Sequence, residues 1–197
     1  DPRYGPFAAA RDRSDDAQAA LAGCLDGEAW LVEPEEWPAP PGTRVLRTAP
    51  LVQMVAEQPM PMQPGDEQAE LLGAAAAAEM AALARATEPG PWGELTHRYG
   101  NFYAIRHEGR IRAMAGERMK PAEGFGEVSG VCTWPEHRGQ GLAARLIRRV
   151  MADIAARGEV PFLHSYAGNT KAIGLYESLG FRIRRAMTVT ILGRAER

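Results

Sequence analysis

The residues Arg138-Gly139-Gln140-Gly141-Leu142-Ala143 stand just ahead of a run with helical periodicity. Glycines there let an anion come close to the backbone, and the first turn of a helix offers free N–H groups at the positive end of its dipole. The chemistry of such a loop is phosphate binding. Two nucleotide patterns do not fit it. A P-loop ends in Gly-Lys-Ser/Thr, which is absent. A dinucleotide fingerprint needs a third glycine where Ala144 stands, and an acidic residue on the next strand, 161–165, which has none. Groups able to move protons lie on either side of the loop. Glu127 opens the preceding apolar stretch and reads equally as an exposed strand-end carboxylate or as a base. Ser129, two residues on, is a candidate for binding substrate or relaying a proton through water. His164, inside a short apolar strand, reads as a hydrogen-bonded core histidine ahead of a base. Tyr176, taken alone, reads as a half-buried packing residue. His97, His107 and His137 lack partners at metal-ligand spacing, so no metal site is expected.

The elements that must position these groups follow from the pattern. Residues 127–133 read as a buried strand and 134–137 as a proline-marked turn. From 139 to about 157 a helix repeats Leu142, Leu146, Ile147, Val150, Met151 and Ile154 on one face. The cluster Arg145, Arg148 and Arg149 reads as a solvated face of that helix. A short strand at 161–165, a helix at 169–179 headed by Asn169 and stopped by Gly180, and a strand at 181–192 follow. A strand, helix and parallel strand over 127–165 make a crossover. Upstream, Glu108-Gly109-Arg110 marks a hairpin between 102–107 and 111–120. Residues 74–86 are an alanine-rich helix stopped by Pro89, Gly90 and Pro91. Three prolines and Gly65 in 58–66 mark a linker and a boundary near residue 65. Ahead of it, 1–65 reads as a small N-terminal α+β region. It holds a helix over 15–24 capped by Ser14, a strand at 29–33, and a strand candidate at 43–57 broken by Pro50. The class is α/β, a mixed sheet flanked by helices.

Two stretches together resemble the GNAT superfamily of N-acetyltransferases. Arg138-Gly139-Gln140-Gly141-Leu142-Ala143 fits the R/Q-x-x-G-x-G/A acetyl-CoA motif, with alanine last. Residues 169–181, NTKAIGLYESLGF, resemble the N-x-x-A-x-x-L-Y-x-x-x-G-F segment. The likeness covers about 68–197 and is nearest to the FR-type acyltransferase branch; 1–65, the domain boundary set aside, matches no family. For 66–197 the resemblance implies a centrally splayed sheet that admits the pantetheine arm. Val131 and Thr133 would pair their backbone groups with its amides, and Cys132 between them would turn its side chain the other way. The N–H groups of Gly139, Gln140, Gly141, Leu142 and Ala143 would hold the pyrophosphate, with Arg138 adding charge. Asn169 serves both as N-cap and as cofactor contact, and Ala172 lies in the same cofactor-binding segment.

The implied reaction is direct transfer of an acetyl group from acetyl-CoA to a primary amine of a small molecule or peptide, with proximity supplying much of the rate. Backbone donors near Val131 would stabilise the oxyanion. An amine with a pKa of about 10 must lose a proton, and the leaving thiolate benefits from a donor. Tyr176 is the donor by resemblance and Glu127 the leading base, since histone-type members carry a glutamate at the corresponding place. A CoA-binding sensor without turnover is the alternative of another class, and transfer of a longer acyl group is a third reading. The acceptor is chosen by 1–65, the 87–101 loop and the end of the last strand.

Composition bounds these readings. Apolar content of 45% and charged content of 24% in 197 residues describe an ordinary soluble globular chain. A net charge of −2 gives no pull toward nucleic acid or membrane. No run reaches the roughly 18 apolar residues of a span, and no signal segment opens the chain. Cys24 and Cys132 read as buried thiols in a reducing compartment. The expected protein is cytoplasmic, a monomer or homodimer, with acetyl-CoA and an amine as partners.

Overall fold

Ser14 caps α1 (Asp15–Cys24), its hydroxyl accepting from the Ala17 N–H while Asp15 and Asp16 sit at the positive end of the helix. β1 (Ala29–Glu33), β2 (Thr43–Val55), β3 (Glu70–Leu71), α2 (Ala77–Thr87), β4 (Phe102–His107) and β5 (Arg110–Glu117) follow. Then come β6 (Phe125–Thr133), α3 (Leu142–Ala156), β7 (Val160–Tyr166), α4 (Thr170–Ser178) and β8 (Arg182–Arg194). The computed structural model describes residues 1–195.

The strands form one eight-stranded sheet in the order β1-β8-β2-β7-β6-β5-β4-β3. Every neighbouring pair is antiparallel except β6 and β7, the two strands joined through α3. This is the mixed α/β architecture expected from the sequence. The first 65 residues, read as a small region of their own, lay β1 against β8 and β2 between β8 and β7. Pro50 does not break β2. Its carbonyl accepts from the Ala167 N–H just past the end of β7, so the N–H that proline lacks faces that same side and costs no bond to β8.

Each face of the sheet carries its own core. The apolar stripe of α3 buries Leu146, Ile147, Val150, Met151 and Ile154 completely, against Met54, Val128, Leu163 and Phe181 among others. Burial of such side chains is worth roughly 1.5–3 kcal/mol each, which makes α3 the helix that locks the central strands. On the other face, α2 sets Met80, Leu83 and Ala84 against Phe102, Met114 and Cys132. α1 covers Leu31 and Leu192 with Leu21 and Leu25.

Two side-chain expectations are corrected. Cys24 is exposed rather than buried. The arginine cluster of α3 is not a solvated face. Arg148 is buried and bidentate to buried Asp66, at 2.6 and 2.8 Å, and Arg145 donates to the Gly65 carbonyl at 2.6 Å. Arg149 lies over the Tyr103 ring at 4.7 Å. The helix's polar side therefore holds down the proline-rich segment that leads from β2 to β3. Burial works to raise the Asp66 pKa, but the Arg148 hydrogen bonds, the Gln63 N–H and both guanidinium charges outweigh it, and the group lies below the usual carboxylate range.

Removing one partner of a buried pair strands the other charge. Asp66→Asn should cost about 3–5 kcal/mol of unfolding free energy, measured as a lower urea midpoint; a loss under about 1 kcal/mol would show that the pair is solvated in practice.

Candidate active site

The parallel contact between β6 and β7 is short. It pairs Phe125 with Val160, Gly126 with Pro161 and Glu127 with Phe162, and then ends, although β6 continues to Thr133 and β7 to Tyr166. The strands part beyond Glu127. A bulge in β6 accompanies the opening. Met114 faces Cys132 but Gly116 faces Ser129, so β6 carries one extra residue there. Gly130 has φ 61°, and a Cβ on it would lie 2.8 Å from the Phe102 ring, so both backbone conformation and space call for glycine. The bulge also reverses the alternation of side chains. Val128 and Val131 both pack on the α3 side and Cys132 on the α2 side. Unbroken alternation would put Glu127, Ser129 and Val131 on one face; with the bulge, Val131 faces away from Glu127.

At the fork sits Glu127, 1% exposed. Its carboxylate accepts from Arg118 Nε at 3.0 Å and Nη2 at 2.9 Å, and from His164 at 3.0 Å. Burial pushes its pKa up, but the Arg118 charge, the His164 hydrogen bond and the Arg118 hydrogen bonds pull it down further, to about 2. A carboxylate with that proton affinity is a poor base near neutrality. Glu127 is thus held as a charged, fully paired carboxylate rather than as an exposed strand-end group. The carboxylate has no proton to give, so His164 donates through Nδ1–H and keeps a lone pair on Nε2. That lone pair accepts from the Gln53 amide at 3.1 Å, and the Gln53 oxygen accepts from Arg184 at 2.6 Å, which fixes the amide's orientation.

A cavity of about 300 Å³ opens beside this network, and Val131, His164, Asn169, Ala172 and Tyr176 line one part of it. Tyr176 projects from α4, its ring edge-on to Phe181 at 6.0 Å. Burial, with the Cys132 thiol adding to it, pushes its pKa up to about 12. The hydroxyl stays protonated at neutral pH. Asn169 caps α4, accepting from the Ala172 N–H at 3.3 Å. The Cys132 thiol is buried, raised to about 12 and hydrogen-bonded to the Gly130 carbonyl at 3.2 Å, so only its backbone is offered.

The glycine loop follows β6 directly. Gly139 and Gly141 adopt φ 77° and 73°, and Gly141 heads α3 with no side-chain cap, which leaves the N–H groups of the first turn to an outside acceptor. Arg138 is exposed and donates from Nε to the Thr133 carbonyl at 3.3 Å. The structure thus brings Val131, Asn169, Ala172 and Tyr176 to one cavity, while Thr133, Arg138 and the loop continue from β6 outside its lining. Sequence reasoning missed Arg118, Gln53 and the part of the cavity wall made by Phe7 and Trp30, none of which carries a motif.

The comparisons with known proteins agree with this geometry. A family model described as FR47-like protein matches residues 103–189. The chain is 32% identical over 116 residues to the [Ribosomal protein bS18]-alanine N-acetyltransferase of Escherichia coli K12, covering 54% of this chain and 76% of that protein. A structure from Novosphingobium aromaticivorans assigned to the GNAT family matches with a TM-score of 0.93 at 62% identity, over 100% of this chain and 87% of that one. The chain belongs to the GNAT family of N-acetyltransferases. It is an acyltransferase by that membership. The solved ribosomal-protein-S18-alanine N-acetyltransferase of Escherichia coli, 20% identical with a TM-score of 0.52 over 66% of this chain and 94% of that one, shares the GNAT fold. Among the described residues no helix is long and apolar enough to cross a membrane, and no group of three or more His, Cys, Asp or Glu side chains is arranged to hold a metal ion.

The depressed pKa of Glu127 carries a signed consequence. Its stabilisation is complete above the ordinary value of 4.5 and is lost as pH falls from there toward about 2. The stability advantage of this GNAT protein over its Glu127→Gln variant should shrink steadily as pH falls below about 5. Urea midpoints measured across that range check this; an advantage independent of pH would mean that the carboxylate is not selectively stabilised.

Proposed function

We propose that this GNAT protein transfers an acetyl group directly from acetyl-CoA to a primary amine. The observation that carries the reading is the gap between β6 and β7 beyond Glu127, which opens beside an uncapped, glycine-headed helix. The residues present fit CoA. Strand edges left unpaired at Val131 and Thr133 offer backbone groups to the pantetheine amides, as an added strand does. The N–H groups of Gly139, Gln140, Gly141, Leu142 and Ala143 suit the pyrophosphate, with Arg138 adding positive charge. Asn169 and Ala172, which line the cavity with Val131 and Tyr176, would stand near the thiol end of the arm. Acetyl-CoA supplies the activated thioester.

Tyr176 donates a hydrogen bond to the departing sulfur. With its pKa near 12, against about 8.5 for a thiol, it holds its own proton and stabilises the thiolate by that bond. The second proton, lost from nitrogen as the adduct collapses to the amide, leaves on the sulfur. His164 takes the proton of the acceptor ammonium. Imidazole is the side chain suited to proton exchange near neutrality, and Glu127 fixes its tautomer with Nε2 unprotonated, as an orienting carboxylate does in other His-based sites. The neutral Gln53 contact on Nε2 is one that a charged N–H, a stronger donor, displaces. Glu127 acts through His164 and through Arg118.

CoA at saturating concentration should raise the melting temperature, and Gly141→Trp should abolish the rise; no shift with the unaltered protein would sink the proposal. Tyr176→Phe should lower turnover, read as thiol release from acetyl-CoA, by about 100-fold with CoA affinity within about threefold. His164→Gln should lower kcat/KM by a similar factor. A variant that kept the rate would take His164 out of the mechanism.

A further inference from the structure

The part of the cavity away from Val131 and Tyr176 is built from the N-terminal segment, β1, β2, the 87–91 loop, the end of β7 and the middle of β8. The N-terminal segment is fixed there by backbone bonds. Trp30 N–H donates to the Pro6 carbonyl at 2.7 Å, Ala8 N–H to the Trp30 carbonyl at 3.1 Å, and Leu95 N–H to the Arg3 carbonyl at 2.7 Å. These bonds carry Phe7 into the wall, edge-on to Trp30 at 6.4 Å. Tyr166, Leu51 and Val189 continue the same apolar lining. The indole N–H of Trp30 is spent on Glu28 at 3.2 Å.

The charges in this wall are few, and they are not balanced. Its one guanidinium, Arg118, is matched by both oxygens of Glu127 and lies over the Phe7 ring at 4.3 Å. Arg47 stacks on Tyr166 at 5.7 Å but does not line the cavity. Its one carboxylate, Glu88, is exposed. Glu88 ends α2 in the left-handed conformation, φ 47°, and among the described residues its side chain has no ion pair or hydrogen bond. An occupant therefore meets aromatic faces and one unmatched negative charge and, among the described residues, no free cation to receive a carboxylate.

Resting on the transferase reading above, we infer that the acceptor is a small primary amine with an aromatic or branched apolar body and no carboxylate. Glu88 and the negative faces of the rings draw the cation into the cavity, where its nitrogen goes on to His164 while the body is desolvated against Phe7, Trp30 and Tyr166. An amino acid would bring a carboxylate beside the like charge of Glu88 and against an apolar wall with no cation to receive it, a mismatch that weakens binding. A polyamine would satisfy Glu88 and leave the apolar wall unused.

The test is calorimetric binding to the CoA-loaded protein, a readout independent of turnover. The probes are 2-phenylethylamine, phenylalanine, putrescine and a short peptide beginning with alanine. The expected result is that 2-phenylethylamine binds at least tenfold more tightly than any of the others. Trp30→Ala should weaken it by about tenfold, and the surface variant Glu88→Gln by roughly threefold, with a smaller dependence on salt. Equal or tighter binding of phenylalanine, putrescine or the peptide would overturn the inference, as would an unchanged affinity in both variants. A preference for 2-phenylethylamine without thiol release would instead count against the transferase reading, so the two fail separately.

Discussion

The buried contact among Arg118, Glu127 and His164 is the constraint on which the site depends. β6 and β7 have only three paired positions, and a parallel pair that stops so early leaves two strand edges facing each other with their polar groups exposed. At the last of those positions, side chains take over from the backbone. Glu127 reaches from β6 to His164 on β7, Gln53 extends the chain to β2, and Arg184 anchors it on β8. The strands are thus held at the fork and free beyond it. Three ionisable groups at the mouth of an apolar slot are tolerable because each has its partner, and removal of any one would leave the others unmatched.

The opening itself is a matter of backbone geometry. A bulge at Gly130 turns β6, and only glycine meets both its positive φ and the nearby Phe102 ring. The same bulge sends Val131 to the α3 side while Glu127 stays opposite, so the strand presents its charged clamp to one face and an apolar wall to the other. On the far side of the slot, α3 is held by a continuous apolar stripe and by Arg148 on Asp66, which keeps its uncapped N-terminus in place beside the end of β6. The rigid parts are those with full cores, and the gap lies between them.

Much of this was legible in the sequence where a local rule governs. The stripe of α3, the Asn169 cap and the glycine loop all follow from helical period and cap chemistry, and the family motifs lie on them. What was not legible depends on contacts distant in the chain. Glu127 could be read as an exposed strand-end carboxylate because nothing in its neighbourhood announces that Arg118 and His164 will enclose it. Pro50 read as a break because its side of the ladder is visible only once β7 is seen to end there. Arg148 read as solvated because its partner, Asp66, lies in a proline-rich stretch 82 residues away. Gly130 was a signal in plain view, an isolated glycine in a strand, and it marks the bulge.

The claim at the centre is that the gap beyond Glu127 is the seat of the cofactor arm and the glycine loop the seat of its phosphates. A crystal structure of the protein with CoA tests it most directly. The account predicts pyrophosphate oxygens within hydrogen-bond distance of the Gly139–Ala143 amides, the pantetheine running along β6 at Val131, and the sulfur beside Tyr176. CoA bound elsewhere, or β6 and β7 closed upon each other beyond Glu127 with the arm outside, would contradict it.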